Sequence, residues 1–173
     1  MIRVRRMIKA LDFAKWFVWK TKIEQLDNIS EDDDYEVYEG ITHLKIQKLL
    51  YFAQGINLAI DNNPLFKEDI VAWQHGPVVK EVYNFFSCYG RKEIEFKEEW
   101  IDSIENIEKN DKLSEILNIT YENFGGYTAW QLREKTHVSG GPWEKTVDSK
   151  GMNKVINNDL IKDYFKKYII AND

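Results

Sequence analysis

Between Gly40 and Gly90 the apolar positions form the densest periodic pattern of the chain. Ile46, Leu49, Phe52, Ala53, Ile56 and Ile60 recur at steps of three and four, the spacing that places side chains on one face of an α-helix. This face is predicted to be core. Thr42 supplies a hydroxyl that caps the first turn by accepting from an orphan backbone N–H, and Lys45 three residues on excludes a full capping box. Gly55 interrupts the helix at a cost of about 1 kcal/mol relative to Ala, which predicts either close packing of another backbone or a tolerated surface glycine. Asn62-Asn63-Pro64 ends the helix.

The next stretch reads as a strand followed by a helix. Ile70-Val71-Ala72-Trp73 is short, β-branched and aromatic, and Gly76-Pro77 is turn chemistry. Pro77 suits the first position of a helix, where its missing N–H is no loss. From there Val78, Val79, Val82, Tyr83 and Phe86 continue an apolar stripe to a left-handed cap at Gly90.

Elsewhere the patterning predicts an amphipathic helix from Met7 to Lys22, with Ile8, Leu11, Ala14, Phe17 and Val18 inward and Trp16 and Trp19 half-buried. Its basic opposite face suits packing on the domain better than a membrane surface, since Asp12 and Glu24 dilute the charge. Lys92–Phe96 alternates charged and apolar residues, which predicts a strand paired with the one around Val71. A short helix is expected over 100–108. Leu113, Ile116, Leu117, Thr120, Tyr121 and Phe124 define another, capped by Asp111 and stopped by Gly125-Gly126. A shorter helix runs from Thr128 to Lys135. The last has Asp159 as its cap and Leu160, Ile161, Tyr164, Phe165 and Tyr168 as its apolar side. The expected architecture is mainly α (α+β): a single compact helical domain with a small antiparallel β-sheet. Its core includes Leu49, Phe52, Ile56, Val82, Phe86, Leu117 and Phe124.

Composition narrows the possible partners. The 173 residues are 43% hydrophobic and 14% aromatic, with six Trp, enough to bury a sizeable core as one domain. A formal charge of −5 and a pI near 5.3 disfavour nucleic acid as the main ligand, because such binders carry a basic field. No apolar run approaches the 18 to 20 residues, roughly, of a membrane span. Cys88 stands alone, so no internal disulfide forms, which fits a reducing cytoplasm; its expected role is a buried structural thiol. The acidic run 27–39 reads as a connector. Asp32, Asp33 and Asp34 within it lack the alternating spacing and Gly of a calcium loop, so charge-guided recognition of a basic partner is the better use for them.

The chain shows no catalytic set and no cofactor or metal fingerprint. His43, His75 and His137 lie far apart, with no HExxH pair and no second Cys. His75 is expected to hydrogen-bond backbone at the Gly76-Pro77 turn, and His137 to fix the loop before Trp143. Ser139-Gly140-Gly141 is not a nucleophile elbow, and the glycine pair matches neither a dinucleotide nor a phosphate loop. Nine Tyr and six Trp suit a binding module, since aromatics anchor interface hot spots, although they also fill cores. Trp73 and Trp143 read either as structural pins or as partner contacts.

KIQKLLYFAQG, then PLF, then AWQHGPVVKEVY, resembles the Panacea antitoxin domain, a family that includes SocA-like antitoxins and phage-associated proteins. Thr136-His137 followed by Pro142-Trp143 is similar to the family's TH…PW element, and MIKALDFAKWFV resembles its opening helix. The likeness covers nearly all of 1–173 as one Panacea-like domain, leaving 1–6 as an appended N-terminus and Met7 as an alternative start. It implies an antitoxin that neutralises a cognate protein toxin by direct binding, with some members acting as adaptors to a ClpXP-type protease. Trp73, Gln74, His75, Gly76 and Pro77 are the expected contact region, because a strand-to-helix turn presents side chains and helix N–H groups on a rigid scaffold. The competing hypothesis is an enzyme acting on a nucleotide or peptide through a site assembled from His75 and His137.

Overall fold

The computed structural model describes residues 8–28 and 40–170. The expectations for 1–6, and for most of the acidic connector with its three aspartates, lie outside them. Around one central helix, α2 (His43–Asp61), are arranged α1 (Ala10–Asn28), α3 (Lys80–Phe86), α4 (Ile101–Glu108), α5 (Asp111–Phe124), α6 (Ala129–Thr136), α7 (Pro142–Lys150) and α8 (Asn158–Phe165). A hairpin of β1 (Ile70–Trp73) and β2 (Gly76–Val79) completes a mainly helical α+β domain.

The α2 stripe is core, and the burial goes further than the stripe. Every residue from Lys45 to Leu58 is buried, because α1, α5, α6, α8 and the hairpin surround the helix. Thr42 caps it by accepting from Lys45 N at 3.4 Å, and Asn62 closes it in the left-handed region at φ 58°. Ile60, predicted inward, is 54% exposed. At Gly55 the close neighbour is the ring of Phe165 from α8, not another backbone. That ring also packs edge-on against Tyr51 and Phe52, while Phe52 stacks on the half-buried Phe124 at 4.0 Å.

Flanking helices are fixed by polar contacts at their ends. The start of α1 is held by two carboxylates: Asp12 accepts from Lys9 N at 3.0 Å and Glu68 from Ala10 N at 3.1 Å. Anionic groups are favourable at that end of a helix. Lys15 on the basic face of α1 lies over the rings of Phe85 and Trp100, so this face packs on protein. Among the described residues no helix is long and apolar enough to cross a membrane. The caps of α5 and α8 are Asn110 and Asn157, not Asp111 and Asp159, which sit inside their first turns. A capping box between Thr128 and Gln131 starts α6.

Two readings of the middle stretch are corrected. Gly76-Pro77 does not open a helix. These residues begin β2, which pairs back on β1 in the register Ile70↔Val79, Val71↔Val78, Ala72↔Pro77 and Trp73↔Gly76, so helix α3 starts only at Lys80. Lys92–Phe96 does not pair with the strand around Val71. It makes a bridge between Glu93 and Thr42, and Ile94 N donates to Ile41 O at 2.9 Å, at the entrance to α2. The far edge of β1 is taken instead by residues 153–156: Ala72 N donates to Lys154 O, Asn153 N to Ala72 O and Ile156 N to Ile70 O, each at 2.8 Å. Ile70 and Ala72 thus face away from β2, and antiparallel alternation leaves their opposite numbers, Val79 and Pro77, facing the outer edge. Pro77 occupies a position where the ladder asks for no donor.

Cys88 is exposed, contrary to its expected burial. Two positions beyond Phe86, Cys88 falls on the helix face opposite the buried Val82 and Phe86, whereas Tyr89 turns back toward the core through a closing 3₁₀ turn.

Candidate functional site

The outer edge of β2 is covered by side chains of α2. Gln47 accepts from Val79 N at 2.8 Å and donates to Val79 O at 3.4 Å, which closes the strand edge as a neighbouring strand would. Lys48, fully buried, donates to Pro77 O at 2.9 Å. Its ammonium end lies directly beneath Gly76, whose φ of 103° suits only glycine; an added Cβ there would meet Lys48 Nζ at 3.0 Å and Thr136 Oγ1 at 2.8 Å. Burial, and then the positive charge of Arg133, push the Lys48 amine down to about 7. His43, one turn earlier, is held below its usual value by burial and by Lys48.

The two motif elements, more than sixty positions apart, meet at the hairpin tip. His137 contacts Arg133 O through Nδ1 at 2.8 Å and Gln74 O through Nε2 at 3.3 Å. The hydroxyl of Thr136 also lies 3.2 Å from Nδ1. The imidazole also packs on Trp143 at 4.0 Å between centroids, and Trp143 donates its indole N–H to Trp73 O at 2.8 Å. On the other side, Trp73 meets Tyr83 edge-on at 4.7 Å, and Tyr83 packs on His43 at 4.5 Å. A short loop of two residues is therefore pinned from both flanks and from below.

Within Trp73–Pro77 the structure separates support from surface. Gly76 and Pro77 are buried, Trp73 is half-buried, and Gln74 and His75 are exposed. Among the described residues His75 makes none of the backbone hydrogen bonds expected of it and lies exposed, whereas His137 fixes its loop against Trp143 as expected. His137 turns both ring nitrogens to main-chain carbonyls, while His75 stands on the exposed side of the tip. Among the described residues no group of three metal-binding side chains converges.

Sequence reading missed Lys48, Gln47, Trp130 and Arg133. A signal for Lys48 was present, since Leu44, Tyr51, Phe52 and Gly55 flank it at helical steps and predict burial on that face also. Arg133 lies one turn before His137, stacks on Trp130 with 4.6 Å to the ring centroid, and bonds Glu134 at 2.7 Å.

Residues 46–144 match the family described as "Antitoxin SocA-like, Panacea domain". That span begins in α2 and ends just past Trp143, so it includes the hairpin and both elements that pin it. The chain is also 32% identical over 136 residues to "Antitoxin SocA" of Caulobacter vibrioides (strain NA1000 / CB15N), covering 73% of this chain and 72% of that protein. No solved structure matches it. A match over more than half of the chain, joined to a curated relative aligned over most of both lengths, establishes that this protein belongs to the SocA-like Panacea-domain antitoxin family.

Proposed function

We propose that this protein is an antitoxin that neutralises a cognate protein toxin by binding it directly, with Gln74 and His75 at the centre of the contact and Trp73, Gly76 and Pro77 giving that tip its shape. The observation that carries the reading is membership of the antitoxin family. The location rests on physics: exposed side chains on a loop of two residues, held by Lys48, His137 and Trp143, lose little conformational freedom when a partner docks. A stable interface needs about 800 Å² on each partner, so α6 and α3 beside the tip contribute the remainder. The role is binding and not catalysis, in the cytoplasm, and the bound toxin is the cargo a ClpXP-type protease would receive if the protein also serves as an adaptor.

The test is co-expression with the toxin-sized product of the neighbouring reading frame. Rescue of growth and co-purification of the two chains are expected; failure of both removes the antitoxin reading. His75→Glu then probes the site, because it adds a negative charge at the tip and leaves the buried supports intact. Weakened toxin binding at unchanged melting temperature is expected, and wild-type values for both move the interface elsewhere.

A further inference from the structure

At the corner between α6 and the hairpin two basic side chains lie together, with the exposed carboxylate of Glu134 as the acidic group paired there among the described residues. Lys48 is buried with a carbonyl as its hydrogen-bond partner, and no carboxylate among the described residues pairs with it. Arg133 adds a second cation close enough to act on Lys48 electrostatically. Its Nε is buried with no partner among the described residues, and its ion pair is with Glu134, the adjacent residue, which is 58% exposed. Adjacent helical residues do not face each other, and an exposed pair of this kind contributes little. Above the guanidinium lies Trp130, at 59% the most exposed large apolar side chain among the described residues. Along α6 Trp130, Arg133 and His137 follow one another at steps of three and four, and His137 reaches Gln74 at the hairpin tip.

We infer that Trp130 and Arg133 form the second half of the partner site, and that they receive an acidic side chain of the toxin, whose carboxylate replaces Glu134 on the guanidinium while Trp130 covers the contact. The inference rests on the antitoxin reading above. Charge complementarity selects the occupant. In a chain whose net charge is −5, this basic corner complements an acidic group of the partner, and the carboxylate it brings would take the place of the solvent-exposed Glu134 on the guanidinium. Trp and Arg side by side are also the residue types in which interface energy concentrates.

The experiment uses the full chain with the toxin of the neighbouring reading frame. Arg133→Glu and Trp130→Ala are each assayed for growth rescue, toxin affinity and melting temperature, with Arg133→Gln as a milder variant in case charge reversal perturbs the fold. Affinity losses of about thirtyfold or more are expected at unchanged melting. Toxin mutants that regain neutralisation by Arg133→Glu are then selected, and Asp→Lys or Glu→Lys changes at one toxin position are the expected result. A wild-type chain that does not bind the toxin removes the antitoxin reading and this inference with it. Wild-type binding that both Arg133→Gln and Trp130→Ala leave unchanged overturns this inference alone, as does suppression that never involves an acidic toxin residue.

Discussion

Trp143 on α7 donates its indole N–H to the main-chain carbonyl of Trp73 at 2.8 Å, across seventy positions of sequence, while the indole N–H of Trp73 is buried with no acceptor among the described residues. Two tryptophans in contact thus stand in opposite hydrogen-bonding states.

Opposite consequences of the same substitution are expected. Trp143→Phe keeps an aromatic ring against His137 but deletes the bond, and should cost about 1 kcal/mol in urea unfolding. Trp73→Phe deletes a donor that pairs with nothing and should leave stability within about 0.5 kcal/mol or raise it, because an unsatisfied buried group is itself a penalty. Equal losses in both variants would show that ring volume, not the bond, governs this joint.

Lys48 should give the stability a characteristic pH dependence. Its folded-state value of about 7 lies below the ordinary 10.5, so between those limits the unfolded chain binds more protons than the folded one. Stability attributable to this group therefore rises with pH from about 7 upward and is flat below that. The window to examine ends near about pH 9.5, before the phenols of Tyr51 and Tyr121, both raised by burial, enter with the opposite sign. Lys48→Met should remove the slope across this window, as followed by chemical denaturation at successive pH values. A Met variant with the parental slope would assign the effect to other groups. Arg133 and His43 remain as the charged and titratable neighbours in that variant.

Gly55→Ala should destabilise the protein, although alanine is the better helix former by about 1 kcal/mol. The new methyl would overlap the Phe165 ring, and overpacking of this kind costs about 1–3 kcal/mol. A double-mutant cycle with Phe165→Leu checks the cause: in the Leu background the cost of Gly55→Ala should shrink, and strict additivity would place the strain elsewhere.

The long helices were legible because a 3.6-residue period leaves an unambiguous trace in Ile46, Leu49, Phe52 and Ile56. The hairpin was not, and the reason lies in one dipeptide used twice. Gly141-Pro142 does begin a helix, with Gly141 extended at its cap and Pro142 in the first turn. Gly76-Pro77 has the same letters but a left-handed glycine and a proline at a strand edge whose outer face is closed by Lys48 and Gln47. Only the tertiary partners distinguish the two. The loop Gln74-His75 lacks the Asn-Gly or Asp-Gly signal of tight hairpins, and the short segment 153–156 declares itself only by bonding β1. For the site, the TH…PW element and the Trp73–Pro77 turn were both visible as motifs. Their meeting depends on His137 and Trp143 bonding main-chain carbonyls, contacts that leave no complementary residue in the sequence to point at.

The notch at Gly55 and the bonds from 153–156 to β1 have a kinetic consequence. Helix α2 comes early in the chain, yet the ring that fills its notch and the segment that completes its sheet arrive about a hundred residues later. Closure over such separations is slow, since loop entropy is lost before the contact is gained. Until Phe165 docks, Tyr51, Phe52 and the bare backbone at Gly55 remain open to water, a sticky surface that chaperones and proteases recognise in unfinished chains. A substitution at the α2–α8 seam should therefore show first as greater sensitivity of the unfinished chain to proteolysis, before any change in what the finished protein binds.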